Sequence, residues 1–297
     1  MTNAVLYALA VAIWGSTWLA IKFQLGAVPP VVSVVWRFAI AAAITLLIAY
    51  VQRAVLRFSL RQHFRIAVAG VPLFGLSYLC VYAGEQFITS GLMALIYSLI
   101  VIWTLLGSRL LFGTAITATA TAAALLGTAG LALVFWPEIV AVFRGRGNPT
   151  GLELGLLGSM LSAAGGLAAA HNERNGIPVF AGMGWAMLYG AIAAAGFAAA
   201  TRQSFTFDWS AGYLASLAYL TVFGSVIAFA AYLTLQSRVG PYRASYSAVV
   251  IPVVALILST LFEHLEWRMN MIAGVIMCLT GNLLAHLPQP EPSPNPA

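Results

Sequence analysis

The sequence predicts an all-α integral membrane protein with ten transmembrane helices arranged as two inverted five-helix repeats. Three observations support this prediction. The chain of 297 residues is 61% hydrophobic and only 7% charged, whereas a soluble domain usually has about 25% charged residues. Its apolar residues form ten runs of roughly 20 residues, the length that spans a bilayer. The second half of the chain also matches the first.

Each apolar run is long enough, or nearly long enough, to cross a membrane as one helix. The first run has no basic segment before it, which favours a retained helix over a signal peptide. The ten expected helices are Ala4–Ile21, Pro30–Val51, Ile66–Glu85, Thr89–Arg109, Ile116–Phe135, Gly151–Ala170, Phe180–Ala200, Tyr213–Leu235, Tyr242–Phe262 and Met269–Leu287.

The internal match defines the two repeats. Tyr82 pairs with Tyr232, 150 positions later, and Gln86 pairs with Gln236 at the same offset. Five spans per repeat is an odd number, so the second repeat must enter the membrane in the opposite direction. Transporters use such inverted repeats and hold their substrate near the midplane, where the halves meet. We expect repeats at residues 1–136 and 151–287, a linker loop at 137–150, and a disordered cytoplasmic tail at 288–297.

Arginine and lysine in the short loops predict the orientation, because cytoplasmic loops are enriched in these residues. A cytoplasmic N-terminus leaves five basic residues outside, Lys22, Arg144, Arg146, Arg202 and Arg268. It places eight basic residues inside: Arg53, Arg57, Arg61, Arg65, Arg109, Arg174, Arg238 and Arg243. Both termini are then expected in the cytoplasm of a bacterium, with the chain in its inner (plasma) membrane.

Composition also limits the partners and the chemistry. The net charge of +6 comes from arginines between the spans, which indicates contact with membrane lipids and not with nucleic acid. Cys80 and Cys278 lie inside apolar runs, and no Cys/His cluster has metal-ligand spacing, so we expect no metal and no cofactor. No histidine lies mid-span, and Asp208, the only aspartate, lies in a loop. We therefore expect no enzyme activity.

Several motifs resemble a known family. They are Ile13-Trp14-Gly15-Ser16-Thr17, Lys22, Pro30 and Trp36-Arg37-Phe38 in the first half, and Pro252, Glu263, Gly274 and Gly281 in the second. This pattern resembles the drug/metabolite transporter superfamily, in its EamA-type branch. The first half departs from it, since Ile102 replaces the expected proline and Gly113 the expected glutamate. The resemblance implies ten helices in two repeats and export of small metabolites across the inner membrane. Amino acid exporters, including exporters of aromatic amino acids, are prominent members.

Polar and aromatic residues within the spans predict a central cavity between the first, third, fourth, sixth, eighth and ninth helices. Tyr78 and Tyr82 share one helical face because they are four residues apart. Arg37 lies inside a span, where a cation either binds substrate or supports the structure. The expected substrate-binding residues are Trp14, Thr17, Arg37, Tyr78, Tyr82, Tyr97, Ser98, Ser245, Tyr246 and Pro252. For Trp14, Tyr78 and Tyr82 the alternative is packing between helices, and for the serines it is packing or a hydrogen bond to their own helix.

No acidic residue lies near a midplane, and this absence argues against an exporter of cationic drugs. The favoured hypothesis is an exporter of neutral amino acids with aromatic or large apolar side chains, working as a monomer or homodimer. A proton-coupled exporter of drugs or other metabolites, or a sugar-phosphate exchanger, is the alternative. The expected driving force is the substrate's own outward gradient, with proton coupling through His171 or Glu85 as the second possibility.

Overall fold

The structure is a computed structural model that describes residues 1–26, 28–88, 90–146, 149–262 and 267–286. Within these ranges the regular elements are all helical, and the only β pairing is an isolated bridge between Leu25 and Val28. The all-α prediction is confirmed for this part of the chain. Glu263 and the tail from residue 288, which the sequence interpretation used, lie outside the described residues.

We label ten of the helices α1 to α10 in chain order. Their bounds are Asn3–Lys22 (α1), Pro30–Val51 (α2), Leu60–Gly84 (α3), Ser90–Tyr97 with Ile100–Phe112 (α4), Ala118–Val134 (α5), Pro149–Arg174 (α6), Val179–Ala200 (α7), Ala211–Val239 (α8), Pro241–Ser245 with Ser247–Phe262 (α9) and Met269–His286 (α10). The segment predicted as a linker loop is partly helical, because Trp136–Phe143 forms a short helix.

The lengths of these helices suit a bilayer. Eight of them are long and apolar enough to cross a membrane, within the described ranges, and α5 and α10 are shorter apolar helices. A 20-residue helix such as α1 is about 30 Å long, which equals the thickness of the hydrocarbon core. The chain is therefore a multi-pass membrane protein.

Local sequence signals set where the helices begin. At the start of α3 the Ser59 side chain accepts a hydrogen bond from the Gln62 backbone, and Gln62 Oε1 accepts one from the Ser59 backbone N–H. This capping box satisfies backbone donors that the first turn leaves free. It explains why α3 begins at Leu60 and not at the predicted Ile66. Helix α2 begins at Pro30, whose missing N–H costs nothing at a first position.

The strongest contacts between helices recur when each helix is replaced by its counterpart five places away. Helix α1 packs on α8 and α9, and its counterpart α6 packs on α3 and α4. Helix α2 packs on α7, and α5 packs on α10. Glycines permit the close approaches: a Cβ added to Gly130 would lie 2.6 Å from the carbonyl oxygen of Gly274, between α5 and α10.

Helices α3 and α8 each contain a π-helical segment. The segments are Val71–Leu76 in α3 and Leu220–Ile227 in α8. Each contains a Phe-Gly pair, Phe74-Gly75 in the first and Phe223-Gly224 in the second. The α3 segment packs on α7, and the α8 segment packs on α2. Such segments are rare and often lie at functional sites. Their position between the halves therefore indicates that a functional site is close to them.

Candidate functional site

A cavity of about 90 Å³ lies in the middle of the helix bundle. Its lining comes from α1, α3, α4, α6, α8 and α9, and from Arg37 of α2. The first six are the helices that the sequence placed around a cavity. Since about 10–15 Å³ is enough to hold one water molecule, the cavity has room for several waters or part of a small solute.

Aromatic rings form much of the cavity wall. The Trp14 ring centroid lies 4.9 Å from that of Phe229 and 5.1 Å from that of Tyr232. Trp18 meets Tyr97 edge to face with centroids 5.8 Å apart. Pairs at these distances stabilise each other beyond simple burial. The wall is therefore apolar and rigid, with phenol and indole groups as its polar handles.

Arg37 is the only charged residue in the described lining, and it is 1% exposed. Its Nε donates to Ser225 Oγ at 2.9 Å, and its Nη1 donates to Tyr82 Oη at 3.3 Å. Tyr82 Oη in turn donates to Gln24 Oε1 at 2.8 Å. The guanidinium carbon lies 4.8 Å from the centroid of the Tyr78 ring. Arg37 thus connects α2 with α3, with α8 and with the end of α1.

Trp14 and Arg37 both hold the π-helical segment of α8. Trp14 Nε1 donates to the Gly224 carbonyl oxygen at 3.0 Å, while Arg37 binds the adjacent Ser225. A Cβ on Gly224 would lie 2.9 Å from Thr17 Cγ2 and 3.2 Å from Arg37 Nη2. Only glycine lets the segment lie this close to α1 and α2.

The serine hydroxyls that face the cavity bond to their own helices. Ser98 Oγ donates to the Leu95 carbonyl at 2.6 Å, and Ser245 Oγ donates to the Tyr242 carbonyl at 2.7 Å. The Tyr97 hydroxyl lies within hydrogen-bonding reach of Ser162. Because Ser98 and Ser245 each donate their one proton to a carbonyl of their own helix, each presents only acceptor lone pairs to a bound solute.

The structure brings seven of the ten predicted residues together in the cavity lining, namely Trp14, Thr17, Arg37, Tyr78, Tyr97, Ser98 and Ser245. The lining does not include Tyr82, Tyr246 or Pro252. Tyr82 is fully buried behind Arg37. Tyr246 is 1% exposed and donates to the Ala120 carbonyl of α5 at 3.0 Å. Pro252 lies inside the second part of α9, next to the lining residue Ile251.

Sequence reasoning missed several lining residues, among them Phe229, Tyr232 and Gln236 of α8. Gln236 Nε2 donates to the Gly166 carbonyl of α6 at 3.2 Å. The internal repeat could have indicated two of these residues, because Tyr232 and Gln236 are the repeat partners of Tyr82 and Gln86. Trp18 also lines the cavity, and it is not among the ten predicted residues.

Acidic and metal-binding groups are not part of this site. Within the described residues, no Asp, Glu, Lys or His side chain belongs to the lining. No group of three or more His, Cys, Asp or Glu residues in that part of the chain is arranged to hold a metal ion. The arrangement offers aromatic faces, hydroxyl groups and one cation to a solute.

Apolar helices packed around a central, partly polar cavity define a membrane transport protein. The chain belongs to the EamA-like transporter family, whose family model matches residues 2–136 and 149–286. As a member of this family the protein moves a solute and is not an enzyme.

Individual relatives support the same class. The uncharacterized inner membrane transporter YedA of Escherichia coli strain K12 is 31% identical over 273 residues, which cover 89% of this chain and 85% of YedA. The uncharacterized transporter YoaV of Bacillus subtilis strain 168 is 23% identical over 270 residues, 91% of each chain. One solved crystal structure matches with a TM-score of 0.76 over 96% of both chains at 17% identity, which bears on the fold alone.

Proposed function

We propose that this protein exports neutral amino acids with aromatic or large apolar side chains across a bacterial inner membrane. Export would occur by alternating access, with two inverted five-helix repeats rocking about the central cavity. The observation that carries the proposal is the cavity lining, in which aromatic rings and hydroxyls surround one buried arginine. The relative YedA, which is named an inner membrane transporter, supports the location.

The inverted repeat is supported by the sequence and by the packing. Exchange of the two halves preserves the main contacts between helices, as expected for a two-fold relation between them. Five spans per half, an odd number, would put the two-fold axis in the membrane plane. The arginine-rich loop between α2 and α3 supports cytoplasmic termini. Reporter fusions that place the C-terminus outside would contradict this arrangement.

A zwitterion suits the chemistry of the cavity. Its carboxylate would bind Arg37, whose five N–H donors exceed the contacts made to Ser225 and Tyr82. Its ammonium would lie over the ring face of Trp14 or Tyr78, a cation–π interaction of roughly 0.5–2 kcal/mol. It would also donate hydrogen bonds to serine lone pairs. Its side chain would lie against aromatic rings. Such a pocket discriminates by only about 1–3 kcal/mol per methylene, so we expect broad selectivity.

The two π-helical segments are the proposed hinges. They occupy related positions in α3 and α8, and each packs across the boundary between the repeats. The π geometry lacks the regular i to i−4 ladder that stiffens an α-helix. Bending there would tilt one half of α3 or α8 while the other half stays packed.

The two alternative substrates fit this lining less well. An organic cation would require a carboxylate in the cavity, and the described lining contains none. A sugar phosphate would require several cations, and the described lining offers Arg37 alone. A neutral amino acid requires neither.

Counterflow in liposomes tests the proposal. Liposomes containing the purified protein would be loaded with unlabelled phenylalanine and diluted into trace labelled phenylalanine, tryptophan, methionine or leucine. We expect transient accumulation of each label, and none in protein-free liposomes. Tetraethylammonium and glucose 6-phosphate serve as the competing substrate classes. Movement of either one, without movement of any neutral amino acid, would contradict the proposal.

A further inference from the structure

Glu85 directly follows α3, and its carboxyl group is buried with a 9% exposed side chain. Neither of its carboxyl oxygens has a hydrogen-bond partner among the described residues. An ionised carboxylate in this position has lost its water without gaining a donor, which is costly, whereas the neutral acid loses far less. The site described here therefore favours a bound proton.

Two cations are close enough to act electrostatically on this carboxyl group. The charges that act on Glu85 are those of Lys22, which ends α1, and of Arg37 of α2. Lys22 is exposed, whereas Arg37 is buried and lines the cavity. On its own helix Glu85 interacts with Tyr82. Helix α6 also packs on this end of α3, and its acid there, Glu153, is exposed. A surface cation and the cavity cation thus both act on Glu85.

A second unpaired group lies in the same buried layer. Gln24 is 1% exposed, and its Oε1 accepts from Tyr82, but its Nε2 has no partner in the described part of the chain. Tyr82 therefore interacts with two residues that have unpaired groups, Gln24 with one donor and Glu85 with two acceptors. Water entering this layer would satisfy all three groups, and it would also stabilise an ionised Glu85.

We infer that Glu85 is a proton-binding site at the outer end of the cavity, neutral while that end is closed and ionised once it opens to water. The orientation used here rests on the proposed function. Low external pH therefore favours the closed outer end, and high external pH favours the open outer end. Proton binding at Glu85 thereby couples external pH to the conformation of the transporter.

The experiment measures access to the cavity from outside. In a Cys80→Ser, Cys278→Ser background, Ile21→Cys reports opening, because Ile21 lines the cavity and is 3% exposed. Right-side-out vesicles are treated with a membrane-impermeant maleimide at external pH values from about 5 to about 9, which bracket a perturbed carboxyl group. The labelling rate is divided by that of Gln86→Cys, an exposed reference position, which removes the pH dependence of the thiol itself.

We expect the normalised labelling rate to fall as the external pH is lowered, approaching about tenfold per pH unit, as one titrating proton dictates. Glu85→Gln, which mimics the neutral acid, should label slowly at every pH. Glu153→Gln, the exposed control, should behave as the parent. Lys22→Gln is the second variant: removing the cation should move the transition to higher pH, and this result stands if Glu85→Gln fails to fold.

Two outcomes would overturn the inference. One is a parental pH profile in Glu85→Gln, or in Lys22→Gln where Glu85→Gln does not fold; the other is no labelling of Ile21→Cys from outside at any pH. Phenylalanine counterflow in the same preparations separates this inference from the proposed function. Absent counterflow with an intact Glu85-dependent pH profile contradicts the substrate proposal alone. Normal counterflow with a pH profile independent of Glu85 contradicts the proton site alone.

Discussion

Trp14 of α1 donates its indole N–H to the carbonyl oxygen of Gly224 at 3.0 Å, inside the π-helical segment of α8. Residues 210 positions apart in the chain thus meet at the cavity wall. The hydrogen bond directly connects a cavity residue to the proposed hinge. It also gives Trp14 a structural role beside the binding role that the sequence suggested.

Replacing Trp14 with Phe keeps an aromatic ring but removes the indole donor to the Gly224 carbonyl. Loss of such a hydrogen bond costs about 0.5–1.5 kcal/mol, so we expect a lower melting temperature in detergent and slower phenylalanine counterflow. Trp36→Phe is the matched control, because Trp36 donates to the Thr206 carbonyl at an exposed position. Equal effects of the two substitutions would contradict a special role for Trp14.

Replacing Arg37 with Lys keeps the charge but removes the planar fork. A single ammonium cannot donate to Ser225 and Tyr82 while lying over the Tyr78 ring, because it lacks the guanidinium geometry. We expect counterflow to fall at least about tenfold, equivalent to roughly 1.4 kcal/mol, with folded yield less affected. Arg109→Lys, at an exposed position, should transport normally. Parental transport by Arg37→Lys would show that the fork is not needed.

Tyr78→Ala and Tyr82→Ala should lower transport more than they lower folded yield. The first removes the ring beside the Arg37 guanidinium, and the second removes the hydroxyl between Arg37 and Gln24. Tyr50→Ala is the control, because that side chain is 70% exposed. Counterflow and detergent-stable yield measured together decide the matter, and unchanged transport in both variants would end the assignment.

Gly190→Ala tests the packing of α7 on the π-helical segment of α3. A Cβ at Gly190 would lie 2.7 Å from Phe74 Cβ and 2.9 Å from the Gly75 backbone nitrogen, so something must shift. Overpacking of this kind costs about 1–3 kcal/mol, and we expect a lower melting temperature. Gly196→Ala, on the same helix with no atom within 4 Å of the added Cβ, should be neutral or slightly stabilising. An unchanged melting temperature in Gly190→Ala would mean that α7 is not tightly packed on the α3 segment at this position.

The helices were predictable because a bilayer demands long apolar runs, and these are visible in composition alone. The start of α3 was missed since its first turn is polar, and only the Ser59 capping box reveals it. The π-helical segments have no compositional signature that separates them from ordinary helix. They depend on packing against α7 and α2, helices more than a hundred residues away along the chain.

The cavity was predictable where residue chemistry was unusual for a membrane span, as at Arg37 and Tyr78. The cavity was not predictable where contact with a residue far away in the sequence determines whether a side chain faces the cavity. Tyr246 looked like a cavity residue, but its hydroxyl donates to the Ala120 carbonyl, 126 positions earlier. Phe229 was not among the predicted residues, and only the fold brings it against Trp14.

Substrate protection of a cavity cysteine is the most direct test of the proposal that a neutral amino acid occupies this cavity. Ser98→Cys, in a background without Cys80 and Cys278, places a thiol in the lining, and Gln86→Cys provides an exposed reference. We predict that phenylalanine slows maleimide labelling at residue 98 in a dose-dependent way and leaves residue 86 unaffected. Protection by tetraethylammonium but by no neutral amino acid would contradict the account.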